Sequence, residues 1–468
     1  MPRIHPEKDI NPEKDRRRGA ILILAGLMCL VLIPITGLVV DGSNAYMMRL
    51  ELSSALDAAV LAGARSLNVG ANVTAQSTNA TTVATSVFNA NIKAMNGKLK
   101  NVSFTPSSPI PPAGTYVRTV SATASASLPL SMMGMLGFSS VNISLTAKAQ
   151  RRDVNVMLVL DHSGSMAAVL PSMLTDATDF VNMFASGRDN LGLVTFAGGT
   201  FVAYPPKTSF QTDSPNVPTM ISQLTTYNGA TNTSEAIWLA YQQLKTLNQP
   251  GAVNVLVVFT DGLANTFTAN FYSLVNSAAG CGKLTSPLTG VIMSDVNETS
   301  TAGLADPTAT SLNDPTEDRG APQSNGCANI SDNGAPNWNI ASYLTGLPTT
   351  DSYGNSTNGT GSISAYMPVN VSSVTAVSVT NAGLNLLDDA ANRIRSDATL
   401  KPVIYTIGLG NNPGLPPDNV LLARVANDPT SPSYNSAQPA GYFTFSPTIA
   451  ELHAAFLRVA SMVIRLAQ

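Results

Sequence analysis

Five side chains carry oxygen donors at spacings that suit a small, hard cation. The run LVLDHSGSM puts Asp161, Ser163 and Ser165 at i, i+2 and i+4 on one tight loop, with Gly164 allowing the turn. A carboxylate and two hydroxyls so spaced can converge on one ion. Magnesium takes octahedral oxygen ligation and keeps waters on some positions, and manganese shares its preference for carboxylate and water oxygens. Two further segments offer matching oxygens. In GATNTSEAI, Thr231 stands just before a helical pattern, with Asn232 or Thr233 free to cap the helix; in VVFTDG, Asp261 stands at the tip of an apolar run.

Other chemistry has little footing. His5, His162 and His453 are far apart in sequence, which argues against zinc on histidine pairs and against histidine acid–base catalysis. Asp161, His162 and Ser163 are the triad residue types, but adjacent residues cannot adopt triad geometry, and His162 is expected at the rim or packed locally. No catalytic residue is assigned, and the chain is read as a non-enzyme with no small-molecule substrate. GLGNNPG from Gly408 lacks the glycine spacing of a dinucleotide loop and reads as a turn. DPTED at 314–318 lacks the spacing of a calcium loop and reads as a solvated turn. A net charge of −3 offers no field for a nucleic acid.

The elements that must position the five oxygens begin at Asp153. DVNVMLVL, NLGLVTFA, AVNVLVVFT and KPVIYTIGL are near-continuous apolar runs, as strands of a parallel sheet covered on both faces require. Between and after them lie helical faces: Met173, Ala177, Phe180 and Phe184; Ile237, Ala240, Tyr241 and Leu244; Leu387, Ala390 and Ile394; Leu452, Phe456, Val459, Val463 and Leu466. Thr448 and Glu451 have capping-box spacing ahead of the last. The alternation predicts an α/β fold over 153–468, with a doubly wound, mostly parallel sheet that holds ligands at the carboxyl ends of its strands. Residues 264–380 break the pattern. They are weakly periodic, rich in Asn, Ser, Thr, Gly and Pro, and read as an insertion at that edge.

The 468 residues allow roughly three domains at ~150 each. Hydrophobic residues at 44% provide a sizeable core, while charged residues at 12% are about half the usual ~25%. From Gly19 to Val40 the chain carries no charge, and Arg16, Arg17 and Arg18 precede this run. Crossing a bilayer takes ~20 apolar residues, so 19–40 reads as a single span, and the positive-inside rule puts 1–18 in the cytoplasm. A cleaved signal peptide is one alternative, with Ser43, Asn44 and Ala45 as a loose small-x-small site, and a buried core helix is the other, opposed by apolarity on all sides and the arginine triplet. The helical pattern continues amphipathically through Leu52, Leu56, Ala59, Val60 and Leu67, so 19–67 predicts one helix of ~70 Å. Residues 68–152 alternate in short runs and read as a small β-rich region, with LPLSMMGMLGF as an apolar loop or short helix packed on the strands, contact with the bilayer being the alternative.

Asp161, Ser163, Ser165, Thr231 and Asp261 together resemble the metal-ion-dependent adhesion site of von Willebrand factor A domains. That resemblance implies that Ser163, Ser165 and Thr231 bind the metal directly, and that Asp161 and Asp261 act largely through bound water. With the arginine-flanked RRRGAILIL and the stretch LDAAVLAGAR, the whole chain resembles the TadG-like pilus-assembly proteins of bacterial tight-adherence (Flp-type) systems. The resemblance implies an inner-membrane protein with its bulk in the periplasm or outside. It would act in pilus assembly or anchoring through a partner that offers an acidic side chain. A surface adhesin or matrix-binding receptor using the same site is the alternative.

An oxidising exterior also bears on the cysteines. Cys29 lies within the apolar span, whereas Cys281 and Cys327 both lie in the insertion and are expected to form a disulfide. Closing a loop of about 46 residues stabilises by roughly 4 kcal/mol in the chain-entropy model. Non-reducing peptide mapping of the exported protein should recover the two as one linked peptide; two free thiols would refute the pairing.

Overall fold

The computed structural model describes residues 12–467 apart from 68, 71, 95–96, 113, 228–229, 272–286, 296, 315–316, 318–330, 333–334, 337–343, 360–364 and 411–415. Cys281 and Cys327, with the pairing expected of them, lie outside the described residues. The chain divides into two units: one built from residues up to 67 with 76–109 and 119–150, the other from 68–75, 110–118 and 151–468.

In the first unit, helix α1 (Pro12–Ser66) is continuous through the apolar run and its amphipathic extension. The two halves differ in what covers them. Ile23, Leu27, Leu30, Leu38 and Val39 are exposed, whereas Leu52, Leu56, Ala59, Val60 and Leu67 are buried. Helix α2 (Val73–Ala94) follows, where the sequence reads as a β-rich region. Its buried positions are Gln76, Ala80, Ala84 and Phe88, every fourth residue, and two of them are alanines that barely register as hydrophobic periodicity. Gly63 is what lets α2 lie close. A Cβ there would come within 2.9 Å of the Ala80 carbonyl oxygen and 3.2 Å of the Ala84 Cβ. Strands β1 (Lys100–Ser107), β2 (Val117–Pro129) and β3 (Ser140–Arg152) form a sheet in that order. Their apolar side chains meet Leu52, Leu56 and Phe88 in one core. The segment 131–138 between β2 and β3 is not packed away as expected, since Met135 and Phe138 are exposed.

The second unit holds a six-stranded sheet. Its strands are β4 (Val154–Asp161), β5 (Asn190–Phe196), β6 (Thr200–Lys207), β7 (Val253–Thr260), β11 (Val403–Leu409) and β12 (Tyr442–Ser446), in the order β12-β11-β7-β4-β5-β6. All neighbours pair in parallel except β5 and β6, which form an antiparallel hairpin at one edge. The sheet is therefore mixed, with a parallel centre. Every residue of β4 and β7 is buried. Val156, Leu158 and Leu160 face a core with Phe180 of α3 (Leu170–Asn182) and Phe456 and Val459 of α8 (Ile449–Leu466). Met157 and Val159 face the opposite core, with Ile237 and Leu244 of α5 (Thr233–Leu247), Leu387 and Ile394 of α6 (Ala376–Arg395) and Val425 of α7 (Asn419–Ala426). A further short helix, α4 (Val217–Ser222), follows β6.

Most of the expected helix faces are buried, though Leu466 is 38% exposed. Two expected caps do not form. Thr448 stands at the N-cap of α8 and Asn232 at that of α5, and neither side chain makes a capping bond. The reciprocal box instead opens α6, between Thr375 and Ser378.

The described residues of the insertion include regular structure that its composition does not suggest. Strands β8 (Thr266–Phe271), β9 (Leu288–Ser294) and β10 (Thr301–Ala305) form an antiparallel sheet in the order β10-β9-β8. Phe267, Phe271, Ile292 and Leu304 pack with Val379 and Leu386 of α6 in a core of their own, while Leu387 and Ile394 on the same helix face the sheet.

Candidate metal centre

Strands β4 and β7 lie side by side in register, with Leu160 opposite Phe259. Asp161 ends β4, and Asp261 comes one residue beyond the end of β7, so two carboxylates emerge together at the carboxyl edge. The chain winds from β4 to β5 on one side and to β7 on the other, so this is the switch point of the sheet. Both carboxylates are fully buried by accessible surface.

The hydroxyls close on them. Ser165 Oγ donates to Asp261 Oδ1 at 2.6 Å and lies 3.2 Å from Ser163 Oγ. The Ser163 N–H donates to Asp161 Oδ1 at 2.9 Å, which holds the turn. Thr231 Oγ1 joins from its own loop. A Cβ on Gly262 would lie 3.3 Å from Thr231 Oγ1 and 3.7 Å from Ser165 Oγ, so a larger residue there would crowd both. All five expected residues are thereby brought to one place. Asp161 Oδ2 accepts from Thr260 Oγ1 at 2.6 Å, but Asp261 Oδ2 is buried with no hydrogen-bond partner.

The electrostatics follow from that packing. Burial pushes the Asp161 carboxyl above its ordinary range, against the pull of the Thr260 and Ser163 hydrogen bonds. Burial and then the neighbouring Asp161 charge push Asp261 up to about 7. Two carboxylates in one dry site are costly to ionise together unless a cation is shared between them. The donors suit such an ion. Adjacent ligands of an octahedron with ~2.1 Å bonds stand about 3 Å apart, close to the spacing of the two seryl hydroxyls. Among the described residues no group of three or more His, Cys, Asp or Glu could hold a metal, so the fit rests on hydroxyls as well as carboxylates.

Several residues that shape the site carried no sequence signal. Thr260 is one, reading only as the last residue of an apolar strand. Asn265 accepts from the Thr231 N–H at 2.9 Å and donates to the Ser294 carbonyl at 3.0 Å, tying the threonine loop to β9 of the insertion. Asn232 donates to Glu235 and Thr268 rather than capping α5, and Glu235 is buried and also accepts from Tyr353.

In the DPTED run, Pro315, Thr316 and Asp318 lie outside the described residues, and Glu317 does not face solvent. Glu317 is fully buried and accepts from Thr195 Oγ1 at 2.6 Å, while its backbone carbonyl accepts from Gly199 at 2.9 Å. His162 is also buried rather than at a rim. Its Nδ1 donates to the Thr225 carbonyl at 2.8 Å and its Nε2 lies 3.5 Å from Glu317. Burial opposes a charge on this ring, but the Glu317 carboxylate and the Thr225 carbonyl outweigh it and raise the pKa.

Comparison with known proteins gives two matches to family models. Residues 156–263 match the von Willebrand factor type A domain, and residues 19–66 match the Flp pilus-assembly TadE/G-like region. Together these are the marks of a TadG-like protein. The A-domain match runs from β4 through Asp261 and Gly262 and so takes in all five clustered oxygens. The TadE/G-like match covers the apolar run and its amphipathic continuation. No curated protein matches.

Among solved structures, the von Willebrand domain of the type V pilus tip protein Mfa5 from Porphyromonas gingivalis is 19% identical. That alignment covers 68% of this chain and 97% of that one, with a TM-score of 0.36. The pilus adhesin SpaC from Lactobacillus rhamnosus GG is 10% identical over 78% of this chain, with a TM-score of 0.37, and the match spans only 34% of SpaC. The PilB minor pilin from Streptococcus sanguinis is 12% identical over 79% of both chains, with a TM-score of 0.37.

Thr260→Val is expected to leave Asp161 Oδ2 buried without a donor and so to destabilise the protein by about 1–3 kcal/mol. Chemical denaturation of the full chain in detergent, without added metal, measures it. A loss of under about 0.5 kcal/mol would show that the hydroxyl does not support the carboxylate.

Proposed function

We propose that the chain is a membrane-anchored, non-enzymatic protein whose A domain captures a protein partner through a magnesium (or manganese) ion, in the assembly or anchoring of Flp-type pili. The observation that carries the metal reading is the partnerless, buried Asp261 Oδ2 beside Ser163, Ser165 and Thr231. In this reading Ser163, Ser165 and Thr231 hold the ion through their hydroxyls. Asp161 and Asp261 balance its charge from behind, Asp161 oriented by Thr260 and the Ser163 N–H. The bound ion would supply one open coordination position for an acidic side chain of the partner. Ser165 can keep donating its O–H to Asp261 while a lone pair of the same oxygen meets the ion. The pilus role rests on the TadE/G-like match, from which pilus components follow as the class of partner.

Metal bound only by the folded state raises the melting temperature by mass action. The full chain in detergent is expected to melt higher in millimolar magnesium than with chelator. Ser163→Ala is expected to fold, to lose that rise, and to lose capture of the partner in crosslinking from intact cells. No metal-dependent shift in the unmutated protein would sink the metal reading.

The anchor is proposed to be the span 19–40 in the bacterial inner membrane, with residues 1–18 cytoplasmic and the remainder outside. The helix there is long and apolar enough to cross, and it is almost wholly exposed. A reporter active only in the periplasm should work when fused after Gln468 and fail when fused at Arg18; the opposite pattern would reverse the topology.

A further inference from the structure

The segment between β2 and β3 of the first unit has an arrangement that its own hairpin does not explain. Its ends are closed by a hydrogen bond from the Leu130 N–H to the Ser139 carbonyl, 3.0 Å. Within it Met133–Leu136 forms one 3-10 turn, ended by Gly137 in the left-handed region at φ 95°. None of its side chains is charged, and the nearest charges along the chain are Arg118 and Lys148.

This turn is fastened to helix α1. The Asp41 carboxylate accepts from three successive backbone donors: Ser131 at 3.2 Å, Met132 at 2.9 Å and Met133 at 2.7 Å. One helical turn earlier, Gly37 lets the loop come close. A Cβ at that position would stand 3.2 Å from the Met132 Cβ and 3.6 Å from the Met133 sulfur. Gly37 and Asp41 are both buried in a stretch of helix otherwise open to its surroundings. The contact thus satisfies the free N–H groups of the turn with a carboxylate, a charge-assisted arrangement stronger than a neutral one.

What the fastening presents is apolar. Met135 is 82% exposed, Phe138 60% and Leu136 46%, and Val141 at the start of β3 is also exposed. They adjoin the last turns of the apolar run, where Leu38, Val39 and Val40 are exposed as well. Gly37 lies three residues before the end of that run, so the loop docks within about 5 Å of its boundary at 1.5 Å per residue. An uncharged patch of methionine, leucine and phenylalanine, continuous with the exposed face of a spanning helix, has the composition of a surface that enters the bilayer boundary rather than water.

We infer that residues 133–138 form a second membrane contact, a short apolar wedge seated in the outer interfacial layer beside the spanning helix. The inference rests on the anchor reading proposed above. A single helix is free to rotate about its axis and to tilt; a wedge fixed to one face of it by Asp41 and Gly37 sets both. The ligand class is the phospholipid boundary itself, met by flexible methionines and one phenylalanine at the depth where headgroups meet acyl chains.

The test uses the full chain in vesicles of phosphatidylethanolamine and phosphatidylglycerol, with p-benzoylphenylalanine placed in turn at positions 30, 135, 138 and 148. All four native residues are exposed, so the bulky group meets no packed neighbour. Position 148 is the aqueous control, about 26 Å along β3 from its start at ~3.3 Å per residue. Photolysis is expected to give phospholipid adducts at 30, 135 and 138 and none at 148. Adducts at 30 without any at 135 and 138, or chain-to-chain adducts there in place of lipid ones, would overturn the wedge and leave the anchor standing. Absence of lipid adducts at 30 would overturn the anchor itself, and the wedge with it.

Discussion

The pairing of β4 with β7 in the middle of the sheet brings Asp161 and Asp261 to the same buried edge, and much of the second unit accommodates that juxtaposition. A carboxylate removed from water loses its hydration, and a second one beside it adds repulsion. The surroundings answer with directed donors: the Thr260 hydroxyl and Ser163 N–H on Asp161, and the Ser165 hydroxyl on Asp261. They answer incompletely, because one oxygen of Asp261 has no donor. Hydrophobic packing cannot compensate for this at the site itself. The cores on the two faces of the sheet hold the strands in register and so impose the repulsion.

Around that pair, the loops are held by polar networks that join sequence-distant segments. Asn265 bridges the Thr231 loop to the end of β9, and Glu235 gathers Asn232, Thr268 and Tyr353 in a largely buried cluster. A satisfied buried network fixes one arrangement because each misplacement strands a polar group. The insertion is therefore part of what positions Thr231. On another loop Glu317 meets Thr195 and Gly199 beside His162, but its Oε2 and the His162 Nε2 have no hydrogen-bond partner, so this cluster is only partly satisfied.

The first unit turns on a different constraint. Helix α1 has one half that is apolar on all sides and one half with a single buried face, and Asp41 stands at the change. Beyond it, the helix has protein to lie against: α2, brought close by Gly63, and the three-stranded sheet. Before it, the helix exposes side chains that only an apolar surrounding satisfies. A carboxylate at the join, used to cap a turn of the neighbouring hairpin, is buried without being left unpaired.

How much of this was legible beforehand depended on the range over which each feature is encoded. Strands β4, β5, β7 and β11 were plain as apolar runs, and the helices packed on them as 3-4 periodicities, because each pattern is complete within a dozen neighbouring residues. The five oxygens could be nominated for the same reason, since Asp161, Ser163 and Ser165 share one loop and Thr231 and Asp261 each adjoin a recognisable element. Helix α2 escaped because its buried stripe is mostly alanine and glutamine, and β8 to β10 because their strands lie within a stretch whose composition reads as loop. Capping at Thr448 was a local pattern that the surrounding backbone did not use. The buried state of Glu317 was beyond any local reading. It depends on a hydrogen bond to Thr195 across 122 positions, made possible only when the insertion folds back over the carboxyl edge of the sheet. Residue types and spacing decided which groups were available; the folded chain decided which of them lost their water, because desolvation is a property of what surrounds a side chain in space.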